Sequence, residues 1–130
     1  MTAADGRPLR VLFDTNAYDA IAAAEDEERI VAMIDAGRLS VIVTPVQEDE
    51  IRQIGNRTRQ MRLLAVFRRI GGTRVVPASV LHGDIAFLSR DDILAQVADA
   101  CCDLLVTEDR ALRQRCNKAI SYAGFARAAL

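Results

Sequence analysis

Short, continuous apolar runs separated by stretches of helical pattern constrain this chain more than any other feature. Val11 to Phe13, Leu39 to Val43, Val75 to Val76 and Leu104 to Val106 are mostly β-branched and do not alternate with polar residues. Strands read this way when both faces of a parallel sheet are covered. A weaker fifth strand is predicted near Ile120. Helical patterns fall between them, over Tyr18 to Ala36, Pro45 to Ile54, Thr58 to Ile70, Arg90 to Cys101 and Arg110 to Cys116, with a last short helix over Gly124 to Leu130. Gly37 and Gly71-Gly72 are the expected helix stops. The alternation predicts an α/β chain, a three-layer α/β/α sandwich on a central parallel sheet of four to five strands. At 130 residues there is room for one ordinary domain, expected over residues 9–130 behind a flexible stretch of residues 1–8.

Several function classes are excluded early. The net charge of −1 gives no global basic field of the kind that dominates duplex binding. No apolar run reaches the roughly 20 residues of a membrane span, and Met1 to Pro8 lacks a signal-peptide core, which predicts a cytoplasmic protein with no membrane partner. Cys101, Cys102 and Cys116 fit neither a disulfide framework nor a zinc spacing, so buried free thiols are expected. His82 is the only histidine, and its Leu81-His82-Gly83 setting does not support acyl-transfer chemistry.

Strand ends and helix starts share one rim of such a sandwich, where α/β proteins place their ligands. Asp14 follows the first strand, Glu50 lies one to two turns into the helix opened by Thr44-Pro45, Asp91 opens a later helix, and Asp109 follows Leu104-Leu105-Val106. Four acids meeting there without a compensating base would repel one another, and a divalent cation would relieve this. On that view, removing one carboxylate should leave the metal-free fold unharmed or more stable. Asp14 and Asp109 also suit the N-cap position of the helices that follow them.

Helix geometry separates neighbouring acids. Thr44-Pro45-Val46-Gln47 has the form of a capping box, with Thr44 as N-cap and Gln47 at N3. Val46, Glu50 and Ile54 then share the inward stripe, while Glu48 faces Arg52 at the i+4 spacing of an exposed salt bridge. Ser89 to Asp92 reads as a second cap with Asp92 at N3. Asp91 shares its stripe with Leu94, Ala95 and Ala98 and is preferred over Asp92 for the rim.

These residues carry a resemblance. Phe13-Asp14-Thr15-Asn16 is similar to the opening motif of PIN-domain nucleases, and Val43-Thr44-Pro45 leading to Glu50-Ile51 resembles their second motif. Asp91, Leu94, Ala95 and Ala98, followed by Leu105-Val106-Thr107 and Asp109, resemble the third and fourth. The likeness runs from Val11 to Phe125. It implies an endoribonuclease in which Asp14, Glu50, Asp91 and Asp109 hold Mg²⁺ or Mn²⁺ and carry catalysis. Many small bacterial members are toxins, so the implied partners are an RNA substrate and a small antitoxin protein, with a homodimer left open. Glu108 departs from the pattern as a fifth acid, and the doubled Asp91-Asp92 leaves the register of the third motif ambiguous.

An all-oxygen donor set suits hard cations better than zinc. Thr15, Asn16 and Thr107 could orient the carboxylates through hydrogen bonds. Between Glu50 and Asp84 the chain has no acid but seven arginines. Of these, Arg52, Arg57 and Arg59 are candidate phosphate contacts. The alternative is a PIN-like module that binds nucleic acid or protein without turnover. Aspartyl-phosphate chemistry on Asp14 is disfavoured, because Asn16 stands where a second Asp would be needed.

Overall fold

A computed structural model of the chain describes residues 6–81, 86 and 88–130. His82 and the first five residues of the expected flexible start lie outside them. Five strands, β1 (Leu9–Phe13), β2 (Leu39–Val43), β3 (Thr73–Arg74), β4 (Leu104–Val106) and β5 (Ala119–Ile120), form one sheet in the order β3-β2-β1-β4-β5. Every pairing is parallel. The helices are α1 (Thr15–Ala24), α2 (Glu27–Asp35), α3 (Pro45–Arg52), α4 (Arg57–Ile70), α5 (Pro77–Val80), α6 (Arg90–Cys101), α7 (Arg110–Arg115) and α8 (Tyr122–Ala129).

Period-2 alternation of the strands divides the core. Val11, Phe13, Val41, Val43 and Val106 point to the face covered by α1, α2, α4 and α8, where Tyr18, Ile21, Ile30, Phe67 and Phe125 pack. Leu12, Ile42 and Leu105 point to the other face, against Leu94, Val97 and Ala98 of α6 and Leu112 of α7. The continuous apolar runs follow from this double burial, and the three-layer α/β/α architecture is the result. Gly71 ends α4 where a Cβ would stand 2.7 Å from the Phe67 carbonyl oxygen, and Gly37 takes a left-handed turn with φ 72 after α2.

Three expectations need correction. The third strand lies at Thr73–Arg74, not Val75–Val76. Its pairing with Ile42 and Val43 fixes the register, while Val76 is left exposed before Pro77, which starts the unanticipated α5. The helix expected from Tyr18 to Ala36 is two helices, broken at Glu25, whose φ of 56 is left-handed. The break places Glu27 and Glu28 in the first turn of α2, where the helix dipole favours acids. It also frees Asp26 to accept a 2.7 Å hydrogen bond from the Tyr122 hydroxyl on α8. Cys102 and Cys116 are buried free thiols, Cys102 pushed by burial up to about 12, but Cys101 is only half-buried.

Candidate active site

In the strand order the chain leaves β1 for β2 and β3 on one side, then crosses back to place β4 on the other. The gap above the carboxyl ends of β1 and β4 is the topological switch point, where open α/β sheets form their crevice. Asp14 sits there because its backbone N–H donates to the Val106 carbonyl at 2.9 Å, extending the ladder one residue beyond β1. Its side chain is 1% exposed. Asp14 is also the N-cap of α1, accepting from the Thr15 N–H at 2.7 Å. The Thr107 hydroxyl donates to its other oxygen at 2.6 Å.

Glu50 reaches the same place from α3. The capping box at Thr44 forms as the spacing predicts, and Gln47 anchors the helix further by donating to the Phe13 carbonyl at 3.1 Å. Glu50 accepts a 2.6 Å hydrogen bond from the Thr15 hydroxyl. Glu48 points away, to Arg52 and Arg74, at 3.3 Å from each.

The neighbours on α6 also separate. Asp92 closes a capping box with Ser89 and pairs with Arg115, while Asp91 faces the rim. There Asp91, Glu50 and Asp14 all meet Arg90. Its Nη1 lies 2.9 Å from Asp91 Oδ1, its Nη2 hydrogen-bonds Asp14 Oδ1, and its Nε forms an ion pair with Glu50 Oε2. That Nε is buried and its contact with Glu50 lacks the alignment of a hydrogen bond. Burial works to lower the Arg90 pKa, but the contacts with Glu50 and Asp14 outweigh it and hold the guanidinium above the usual arginine range. Sequence reasoning missed Arg90. The expectation of an acidic rim without a compensating base is therefore corrected.

Asp109 stands apart from this guanidinium. It is the N-cap of α7, accepting from the Leu112 N–H at 3.1 Å, and among the described residues its link to the cluster is through its backbone, whose N–H donates to the Thr107 hydroxyl oxygen at 3.0 Å. Thr15 and Thr107 thus orient two of the carboxylates, whereas Asn16 accepts from the Glu108 N–H at 3.0 Å. Glu108, the additional acid, accepts from the Tyr122 N–H at 2.7 Å and so holds the start of α8. Of the candidate phosphate contacts, Arg52 is paired with Glu48 and Arg59 with Asp19 at 2.6 Å. Arg57 is exposed and has no ion pair among the described residues.

Among the described residues, no three His, Cys, Asp or Glu side chains stand grouped as a ready set of metal ligands. The chemistry of the donors still fits a hard cation: three carboxylates from three elements converge on one positive centre, and all their donor atoms are oxygen.

The fold has a solved counterpart. It resembles the crystal structure of PAE2754 from Pyrobaculum aerophilum with a TM-score of 0.61, across 92% of this chain and 88% of that one, at 19% identity. The likeness is one of fold. No family model matches the chain, and no curated protein matches it. No helix among the described residues is long and apolar enough to cross a membrane.

Proposed function

We propose that this chain is a PIN-type endoribonuclease dependent on Mg²⁺ or Mn²⁺, acting as the toxin of a bacterial toxin–antitoxin pair. The observation that carries the reading is the convergence of Asp14, Glu50 and Asp91 on one cationic position at the switch point. Asp14, Glu50 and Asp91 would hold the ion, and Asp109, whose carboxylate caps α7, would have to turn from the Leu112 N–H to join them. Bound there, the ion would supply an activated water and neutralise charge growing on the phosphate. Thr15 and Thr107 keep Glu50 and Asp14 aimed by donating hydroxyl protons to them. Arg57 is the candidate phosphate contact left without an ion pair among the described residues.

Arg90 favours a second reading, since a chain that fills its own acidic rim with a guanidinium could bind a partner without turnover. Purified protein incubated with mixed RNAs, with and without Mn²⁺, separates the two. Metal-dependent cleavage that Glu50→Gln abolishes supports the nuclease. Absence of cleavage with any divalent ion, together with growth unaffected by expression, overturns it in favour of the silent module.

A further inference from the structure

We infer that Arg90 is an intramolecular stand-in for the metal ion, a latch that closes the carboxylate site until a divalent cation displaces it. The inference rests on the metal-dependent reading above and adds a device to it. All three guanidinium nitrogens meet carboxylates, each a different one, so one oxygen of each acid is engaged by Arg90. A guanidinium is several times wider than a metal ion, and the acids spread around it do not form a ready ligand set.

Local preference does not explain why arginine stands at this position. Arg90 is the first helical residue of α6, where the helix dipole favours acids and disfavours a cation. Asp91 and Asp92 follow that rule and Arg90 breaks it. What holds the side chain in place is the cluster itself. Its Nε is buried in an ion pair with Glu50 Oε2 that lacks the alignment of a hydrogen bond. Arginine has a long, rotatable stem, and 31% of the Arg90 side chain remains exposed, which gives it a way out to solvent without refolding α6.

The apparent metal affinity is then the intrinsic one multiplied by the fraction of molecules in which Arg90 has left. Removing the latch should tighten binding while making the metal-free protein less stable, because the acids lose the cation they share. A ligand merely added beside Arg90 would show neither effect in this combination.

The test is titration of wild type, Arg90→Gln and Arg90→Lys with MnCl₂, read by calorimetry and by melting temperature in EDTA and in Mn²⁺. Arg90→Gln should bind Mn²⁺ roughly tenfold more tightly than wild type, within the usual range of coupling between sites. It should melt lower in EDTA and gain more from Mn²⁺. Arg90→Lys keeps the charge but replaces the planar three-nitrogen fork with a single, more strongly hydrated nitrogen, and should fall between. If Arg90→Gln does not fold, Arg90→Lys carries the test alone, and tighter Mn²⁺ binding than wild type supports the latch. Mn²⁺ binding that is equal or weaker in the folded variants overturns the latch and leaves the metal site standing. Absence of Mn²⁺ binding in all three proteins overturns the metal reading itself.

Discussion

Replacing Asp14 with Asn distinguishes repulsion from attraction at the rim. The carboxylate is 1% exposed and serves three donors, the Thr15 N–H, the Thr107 hydroxyl and Arg90. An Asn side chain can keep its oxygen toward Thr15 and Arg90. Its NH₂ group then faces Thr107, whose hydroxyl proton loses its acceptor. Leaving one partner of a fully buried ion pair costs about 3–5 kcal/mol. Arg90 keeps Glu50 and Asp91 and is partly solvated, so the loss is discounted to about 1 kcal/mol for the charge. The displaced Thr107 hydroxyl adds about 1 kcal/mol more. A destabilisation near 2 kcal/mol corresponds to roughly 7 °C in a chain of this size. Calorimetry of both proteins in EDTA at low ionic strength measures it. A variant as stable as wild type, or more stable, would mean that the acids repel one another and that Arg90 does not compensate them.

Other outcomes follow from single contacts. Lys118→Met should cost about 1–2 kcal/mol in urea denaturation, since the Lys118 ammonium donates to the Ala98, Asp99 and Cys102 carbonyls at 3.2, 3.0 and 2.8 Å and closes the end of α6; an unchanged midpoint would refute that role. The hydrogen bond from the Arg10 side chain holds the Asp103 carboxyl below its usual range against partial burial. Because the folded value is depressed, the stability difference between wild type and Asp103→Asn should be full at neutral pH and fade as pH falls through about 4 and below; growth of the difference on acidification would contradict it. Asp91→Asn should reduce RNA cleavage roughly a hundredfold or more, while Asp92→Asn, which alters only the cap and the Arg115 pair, should spare it. The opposite ranking would shift the assignment by one residue.

What the sequence made legible follows the strength of each local signal. The central strands were readable because β1, β2 and β4 are buried on both faces over residues 11–13, 41–43 and 105–106, and those runs must be apolar. β3 was misplaced because an edge strand is set by backbone pairing, and the Val75-Val76 propensity outweighed Thr73-Arg74. Nothing in Ala24-Glu25-Asp26 resembles a helix stop. The acids just past the break meet partners far along the chain, Asp26 with Tyr122 and Glu27 and Glu28 with Arg69, which local sequence cannot announce. At the rim, capping boxes separated Glu50 from Glu48 and Asp91 from Asp92 in advance. Arg90 escaped notice because a base at a helix start opposes the dipole and only the folded cluster explains it. Glu108 read as a spare acid because its partner, the Tyr122 N–H, is 14 residues away.

The outermost strands, β3 and β5, are each only two residues long, and β3 ends in Arg74. Open sheet borders invite foreign strands to add on, and short, charged borders are how proteins discourage it. This sheet therefore offers almost no ladder for another chain to continue. Among the described residues, helix faces and loops, whose side chains carry the specificity, are thus the surfaces better suited to contact with another chain.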